Sequence, residues 1–595
     1  MTFPHWPNLV TMFFAQADRL GERPFLWSKR DGAYAPMTWR SVAAQVSALA
    51  RGLEAIGVER GDRVVIVSES RPEWLIADLA IMAVGGITVP VFTTNTVDDH
   101  RFILEDSGAK GLIVSSARLA EPALAAVHQA AKAWFVVTMD PISAERNTGV
   151  DVHSWGDLIT LGNKGHTNVV AAAGRLTRDD VACIIYTSGT GGVPKGVMLH
   201  HGAILHNCAG AAHVLEPLGI EDEVFLSFLP LSHSYEHTAG LCFPIFLAAQ
   251  IYYAEGVEKL AANMVEARPT IMTAVPRLYE ALHQRFEQRI RRASRLQRAL
   301  ILKALNLGRR RFHDPNGLGL WERVVDAVVE RLVRDKIRAQ FGGRLKALVS
   351  GGAPLNAEIG LFFQALGINI LQGYGQTEAA PVVSVNSPGD VKMHTVGRPL
   401  KDTEVRIAED GEILVRGELV MKGYWNNDEA TALALRDGWL HTGDVGAFDA
   451  DGHLMITDRK KDLIVNSGGD NISPTRIEGF LIMEREIGQA MVYGDRRPNL
   501  VALIVPDLEW MKDWARTAGR PPNLAALHQD PEFVKALGDA VQRVNARLPV
   551  PERVRRFAVA HEPMTVENEQ LTPTLKIRRH VVRAIYGDAL ERLYG

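Results

Sequence analysis

The sequence predicts an α/β protein in two parts: a large N-terminal domain of layered α/β subdomains, residues 1–460, and a small α+β domain, residues 461–595. Three observations predict it. From the start of the chain, helical stretches alternate with short, almost uninterrupted β-branched runs, as parallel strands covered on both faces require. The 595 residues exceed what one hydrophobic core organises. The charged break Thr457-Asp458-Arg459-Lys460-Lys461-Asp462 separates the apolar runs Leu454-Met455-Ile456 and Leu463-Ile464-Val465 and marks the boundary.

Residues 38–57 place Trp39, Val42, Val46, Leu49, Leu53 and Ile56 at helical spacing, and Gly57 ends that helix. Residues 64–67 follow as a strand, 72–84 as a helix, 87–91 as a strand, 98–108 as a helix and 111–114 as a strand. In the second part strands are expected near 489–494 and 500–505, and a helix near 532–547. No fixed-period repeat or low-complexity tract interrupts the pattern.

Bulk composition excludes several classes. Apolar content of 47% and charged content of 23% suit a soluble globular chain, and a net charge of -3 argues against a general nucleic-acid binder. Cys183, Cys208 and Cys242 offer no disulfide framework and no metal spacing, so buried thiols in a reducing compartment are expected. The N-terminus lacks a basic segment followed by an apolar stretch, and the apolar windows 75–92 and 238–253 carry Asp78 and Pro244. These features give the expectation of a cytoplasmic protein.

One stretch carries the chemistry. An apolar run ending at Tyr186 reads as a buried strand, followed by the hydroxyl- and glycine-rich turn Thr187-Ser188-Gly189-Thr190-Gly191-Gly192. Pro194-Lys195-Gly196 and a second apolar run, Val197-Met198-Leu199, come next. Glycines let a backbone approach an anion closely, hydroxyls and free N–H groups donate to phosphate oxygens, and Lys195 adds a point charge. Because Gly196 follows Lys195 and a strand follows the turn, this is not the loop that opens a helix onto a nucleotide.

These residues resemble the phosphate-binding loop of the adenylate-forming (AMP-binding) enzymes, among them acyl-CoA synthetases, luciferases and peptide-synthetase adenylation domains. That family usually has Thr where this chain has Gly191, so one hydroxyl donor is missing. Further motifs follow in the family order. Gly351-Gly352-Ala353-Pro354 and Gln372-Gly373-Tyr374-Gly375 each read as a glycine turn after a strand, and resemble the adenine site. The resemblance implies Tyr374 against the base, Thr377 donating to the α-phosphate, and Glu378 holding Mg²⁺ through hard oxygens. It also implies Asp444, read as the end of a Thr-Gly turn, on the ribose hydroxyls, with Ile456 and Arg459 at the nucleotide and Lys461 as the hinge of a mobile C-terminal domain. Gly468 and Gly469 would approach a thiol or pantetheine arm. The stretch Leu571-Thr572-Pro573-Thr574-Leu575-Lys576 matches the catalytic lysine segment of long-chain acyl-CoA synthetases.

His233, in Leu229-Pro230-Leu231-Ser232-His233-Ser234-Tyr235-Glu236, is implied beside the carboxylate and α-phosphate and is a candidate to assist a thiol. Tyr235 and Glu236 stand where peptide-synthetase domains carry an amine-holding Asp, which weighs against an amino-acid substrate. Residues 281–312 interleave arginines with Leu282, Phe286, Ile290, Leu296, Leu300 and Leu307 at helical spacing, giving one amphipathic, strongly basic helix. A second amphipathic stretch, 321–340, follows, and such an insertion resembles the long-chain fatty acyl-CoA synthetase branch. A surface helix docked on the core and a helix touching an anionic membrane both remain open for 281–312. A homodimer also remains open. The resemblance implies ATP, Mg²⁺ and coenzyme A acting with a fatty acid to give acyl-adenylate and then acyl-CoA. A ligase that loads a carrier protein, an aryl- or short-chain-acid CoA ligase, and a non-catalytic binder are the alternatives.

Overall fold

The computed structural model describes residues 4–130, 134–142, 150–187, 193–467, 470–572 and 576–595. Its centre is a nine-stranded sheet in which Val224–Ser227, Ile271–Ala274, Ala347–Ser350 and Ile370–Gly375 run parallel as neighbours. Their carboxyl ends release the segments at 228–233, 275–276, 351–354 and 376–378 on the same side, where ligands settle in open α/β sheets. A seven-stranded sheet holds Arg63–Val67, Ile87–Val91 and Val181–Thr187, and closes with the antiparallel strand Lys195–His200. The helix Pro72–Ala83 is buried almost throughout, which explains the apolar window there. The window at 238–253 divides into a widened helical turn, a short helix and the strand Gln250–Tyr253. Among the described residues no helix is long and apolar enough to cross a membrane, and the three cysteines are buried and unbridged.

A five-stranded sheet follows, in which Trp439–Phe448 pairs antiparallel with Leu454–Arg459. The expected Thr-Gly turn at Asp444 is therefore the middle of a long strand. The charged stretch that was to break the chain at 457 is a strand up to Arg459, and the turn falls at 460–462, where Asp462 and Leu463 donate their N–H groups to the Arg459 carbonyl. Gly373-Tyr374-Gly375 likewise belongs to a strand, and the chain turns only at Thr377–Ala379.

From Ile464 onward the chain has its own apolar core around Leu500–Pro506, every residue of which is buried. This strand pairs with Ile487–Tyr493 on one side and Val554–Val559 on the other, with Pro531–Asn545 and Arg579–Glu591 packed on the same core. Asn356 Nδ2 donates to the Gly479 carbonyl at 2.8 Å and Arg277 to that of Gly488 at 3.2 Å, joining this part to the larger one.

The basic stretch 281–312 is two helices, Pro276–Arg292 and Arg295–His313, not one. Ala293 is extended, and the Ser294 hydroxyl accepts from the Gln297 N–H, forming a capping box that starts the second helix afresh. The break takes Leu296 out of the inward apolar series, leaving it 71% exposed, while Ile290, Ala304 and Leu307 reach the core.

Candidate functional site

The expected site residues that fall within the described chain line one cleft: Thr187 and Lys195, His233, Gly351 to Pro354, Gln372 to Glu378, Asp444, Ile456, Arg459, Lys461 and Lys576. Ser188, Gly189, Thr190, Gly191 and Gly192, and also Gly468 and Gly469, lie outside the described residues, as do Pro573 to Leu575.

Asp444 and Arg459 are register partners across two antiparallel strands, which brings the guanidinium Nε to 3.2 Å from the carboxylate. The Tyr374 hydroxyl, delivered from the central sheet, donates to the other carboxylate oxygen at 2.7 Å. Burial raises the Asp444 pKa, against the opposing pull of Arg459, Tyr374 and Lys576. Burial, then the Asp444 charge, raises that of Tyr374. Three strands of two different sheets thus converge on one acceptor.

The second cluster joins Lys195, Tyr424 and Glu378. The strand Lys195–His200 continues its pairing onto 422–425, with Trp425 N–H donating to the Gly196 carbonyl at 2.7 Å and Met198 N–H to that of Gly423. This sets the Lys195 ammonium 4.8 Å from the centre of the Tyr424 ring, while the Tyr424 hydroxyl donates to Glu378 Oε1 at 2.8 Å. A Cβ on Gly196 would lie 2.8 Å from the Ile184 side chain and 3.1 Å from the Tyr186 ring, so the hairpin closes only around glycine. Tyr424 was missed in the sequence, because nothing near Gly423-Tyr424-Trp425 signals a pairing to residues some 230 positions earlier.

His233 caps a short turn: its Nδ1 accepts from the Tyr235 N–H at 3.1 Å. Burial, then the Lys576 charge, lowers its pKa to about 4. The ring is therefore neutral near pH 7, and with Nδ1 accepting, its proton rests on Nε2. Ser234, also missed, shares a hydroxyl hydrogen bond of 3.0 Å with Thr377 and ties the segments around His233 and Thr377 together. Tyr235 donates to the Val349 carbonyl, and its ring lies where a Cβ on Gly351 would come to 3.0 Å. Glu236 is fully buried behind Thr273, accepting from Ser227 and Thr273 at 2.6 Å each, and burial raises its pKa to about 7. It does not line the cleft.

Lys576 comes from the C-terminal part. Its N–H donates to the Thr572 hydroxyl, its carbonyl accepts from the Thr572 N–H, and Leu571 bridges Ile577, so Lys576 is pinned to Thr572. Lys576 is exposed to solvent at the cleft, and desolvation by the surrounding cleft walls, then the Arg459 charge, lowers its pKa to about 8.

The AMP-binding enzyme family matches residues 13–425, and the AMP-binding enzyme C-terminal domain matches residues 461–595. The long-chain-fatty-acid–CoA ligase FadD15 of Mycobacterium bovis is 35% identical over 574 residues, 95% of this chain and 93% of that protein. The peroxisomal long chain acyl-CoA synthetase 7 of Arabidopsis thaliana is 31% identical, over 100% of this chain and 87% of that protein. The adenylation domain of a carboxylate reductase from Mycobacterium chelonae shares the fold at a TM-score of 0.77 and 22% identity, covering 99% of this chain and 91% of that one. With both its parts matched in order and the motif residues gathered in one cleft, the chain belongs to the family of AMP-binding enzymes.

Proposed function

We propose that this protein is an AMP-forming long-chain fatty acid–CoA ligase. A carboxylate displaces pyrophosphate from ATP to give an acyl-adenylate, and the thiol of coenzyme A then displaces AMP. The observation that carries the reading is Lys576, presented by the C-terminal part to a cleft whose other walls hold Asp444, Arg459 and Glu378. The names of the relatives support a long acyl chain and coenzyme A as acceptor, over carrier-protein loading or mere binding.

Two anions must meet in line, and their repulsion, with charge growing on the bridging oxygen, makes the barrier. Lys576 is assigned to the carboxylate and bridging oxygens, where one preorganised donor contributes about 3 kcal/mol. Lys195 and the adjoining 187–192 turn are assigned to the β- and γ-phosphates, Thr377 to the α-phosphate, and Asp444 to the ribose. Tyr374 and the 351–354 backbone are assigned to the adenine, with Gln372 and Ile456 beside them. His233, neutral with its proton on Nε2, fits a donor to the carboxylate or α-phosphate better than a base for the thiol. Glu378 fits Mg²⁺: one oxygen is taken by Tyr424, the residue lines the cleft, and Mg²⁺ takes few carboxylates beside substrate phosphates. Mg²⁺ there would neutralise phosphate charge.

The thiol step needs no strong base, since a thiol of pKa about 8.5 is a few per cent ionised at neutral pH. Rotation about Lys461 would withdraw Lys576 and bring the segment around Gly468 and Gly469 forward. For the acyl chain, Phe92, Phe225, Phe228 and Phe243 supply apolar cleft wall, and each CH₂ buried there contributes about 0.8 kcal/mol. Supplying free coenzyme A and a holo-carrier protein in parallel, with acids of increasing length, tests the reading. Acyl-CoA formed faster with longer acids is expected; thioester found only on the carrier would contradict it.

A further inference from the structure

The helical insertion carries a surface that neither core nor cleft requires. The helix Leu320–Val329 continues through the widened turn Glu330–Arg334 into Asp335–Gln340. Its inner face, Val325, Val329, Val333 and Ile337, recurs every four residues and packs on the core. That packing accounts for one apolar stripe. A second stripe, Leu320, Trp321, Val324, Val328 and Leu332, faces solvent, with Trp321 77% and Leu320 85% exposed. A helix docked on a core ordinarily turns polar residues outward, and a contiguous exposed apolar patch marks a contact surface.

The charges are sorted in the same sense. Glu322 pairs with Arg310, Asp326 with Arg311 and Arg334, and Glu330 with Arg334 and Arg338. Each carboxylate between 320 and 334 is thereby engaged by an arginine. What remains exposed there beside the apolar stripe is basic, Arg323 and Arg331. On the neighbouring stretch Arg292, Arg295 and Arg298 are exposed, and no carboxylate pairs with them among the described residues.

An apolar stripe with an indole, rimmed by guanidinium groups and with each neighbouring carboxylate paired to an arginine, complements an anionic lipid surface. Apolar side chains enter the acyl boundary, the indole sits at headgroup depth, and arginine stems reach back to phosphates. A second copy would set the same arginines against each other.

We propose that the outward face of residues 320–332, anchored by Trp321, docks this protein on an anionic membrane surface, with Arg292, Arg295 and Arg298 supplying flanking charge. Co-sedimentation of the full chain with phosphatidylcholine vesicles, with and without phosphatidylglycerol, tests this. Wild type should pellet with the anionic vesicles. Trp321→Ser combined with Val328→Ser should lower partitioning by about tenfold or more, and Arg323→Glu combined with Arg331→Glu should abolish the preference for anionic lipid. Unchanged melting temperatures would show that these variants are folded, independently of any ligase activity. Equal partitioning of wild type and the Trp321/Val328 variant would overturn the proposal. So would a lipid-free dimer that the same substitutions dissociate.

Discussion

At the scale of single residues, Lys576 and Glu236 make opposite demands on pH. The free enzyme holds Lys576 with its pKa lowered to about 8, so the ammonium assigned above to the two anions is lost as pH rises through that value. Because kcat/KM reports the free enzyme, adenylation should decline above pH about 8, and Lys576→Arg should move the decline upward in whatever activity it retains. An alkaline limb unmoved by that substitution would assign it to another group. Burial raises the Glu236 pKa to about 7, so the carboxyl stays protonated only below that pH. A carboxyl whose folded pKa is raised stabilises fully below its unfolded value, and that contribution is lost as pH rises through the folded one. Wild type should therefore lose stability relative to Glu236→Gln between pH about 4.5 and 7, by up to about 3 kcal/mol, in paired melting curves. The sequence displayed Glu236 beside His233 as though both faced a ligand. Only the strand partners Ser227 and Thr273 reveal that one lines the cleft and the other is sealed behind it.

At the scale of elements, the insertion at 276–340 depends on one cation. Arg334 is fully buried, 2.8 Å from both Asp326 and Glu330, and donates to the carbonyls of Ala304 and Ala365 at 2.9 Å. Removing one member of such a group leaves charges and carbonyls uncompensated, so Arg334→Ala should cost about 3–5 kcal/mol in denaturant unfolding. A loss below about 1 kcal/mol would show that the helices hold by their apolar contacts alone. Element types were legible because apolar spacing reports burial directly: the predicted helices and strands from 38 to 114 lie within a few residues of those observed. Boundaries set by capping or by pairing were not. Ser294 splits a stretch whose apolar period runs on unbroken, and Asp444 sits in a strand because Arg459 pairs across from it, a relation no local window contains.

At the scale of the whole molecule, the described motif residues between Thr187 and Arg459 share a cleft because the parallel strands of the central sheet end on one side and the antiparallel pair carrying Asp444 and Arg459 meets them there, an outcome that motif order indicated through resemblance rather than through spacing. Tyr424 and Ser234 complete the cleft and carried no sequence signal, since their partners lie far away in the chain. If the C-terminal part turns about residue 461, Lys461→Pro should slow thioester formation more than adenylation in single-turnover assays; equal loss of both would remove the hinge. Lys576, carried on that part, is assigned to let two mutually repelling anions react. Carboxylate-dependent exchange of labelled pyrophosphate into ATP, measured for Lys576→Ala beside its affinity for ATP, tests it most directly. The expected result is exchange reduced by about 10²–10³ with ATP affinity nearly unchanged; exchange at the wild-type rate would contradict it.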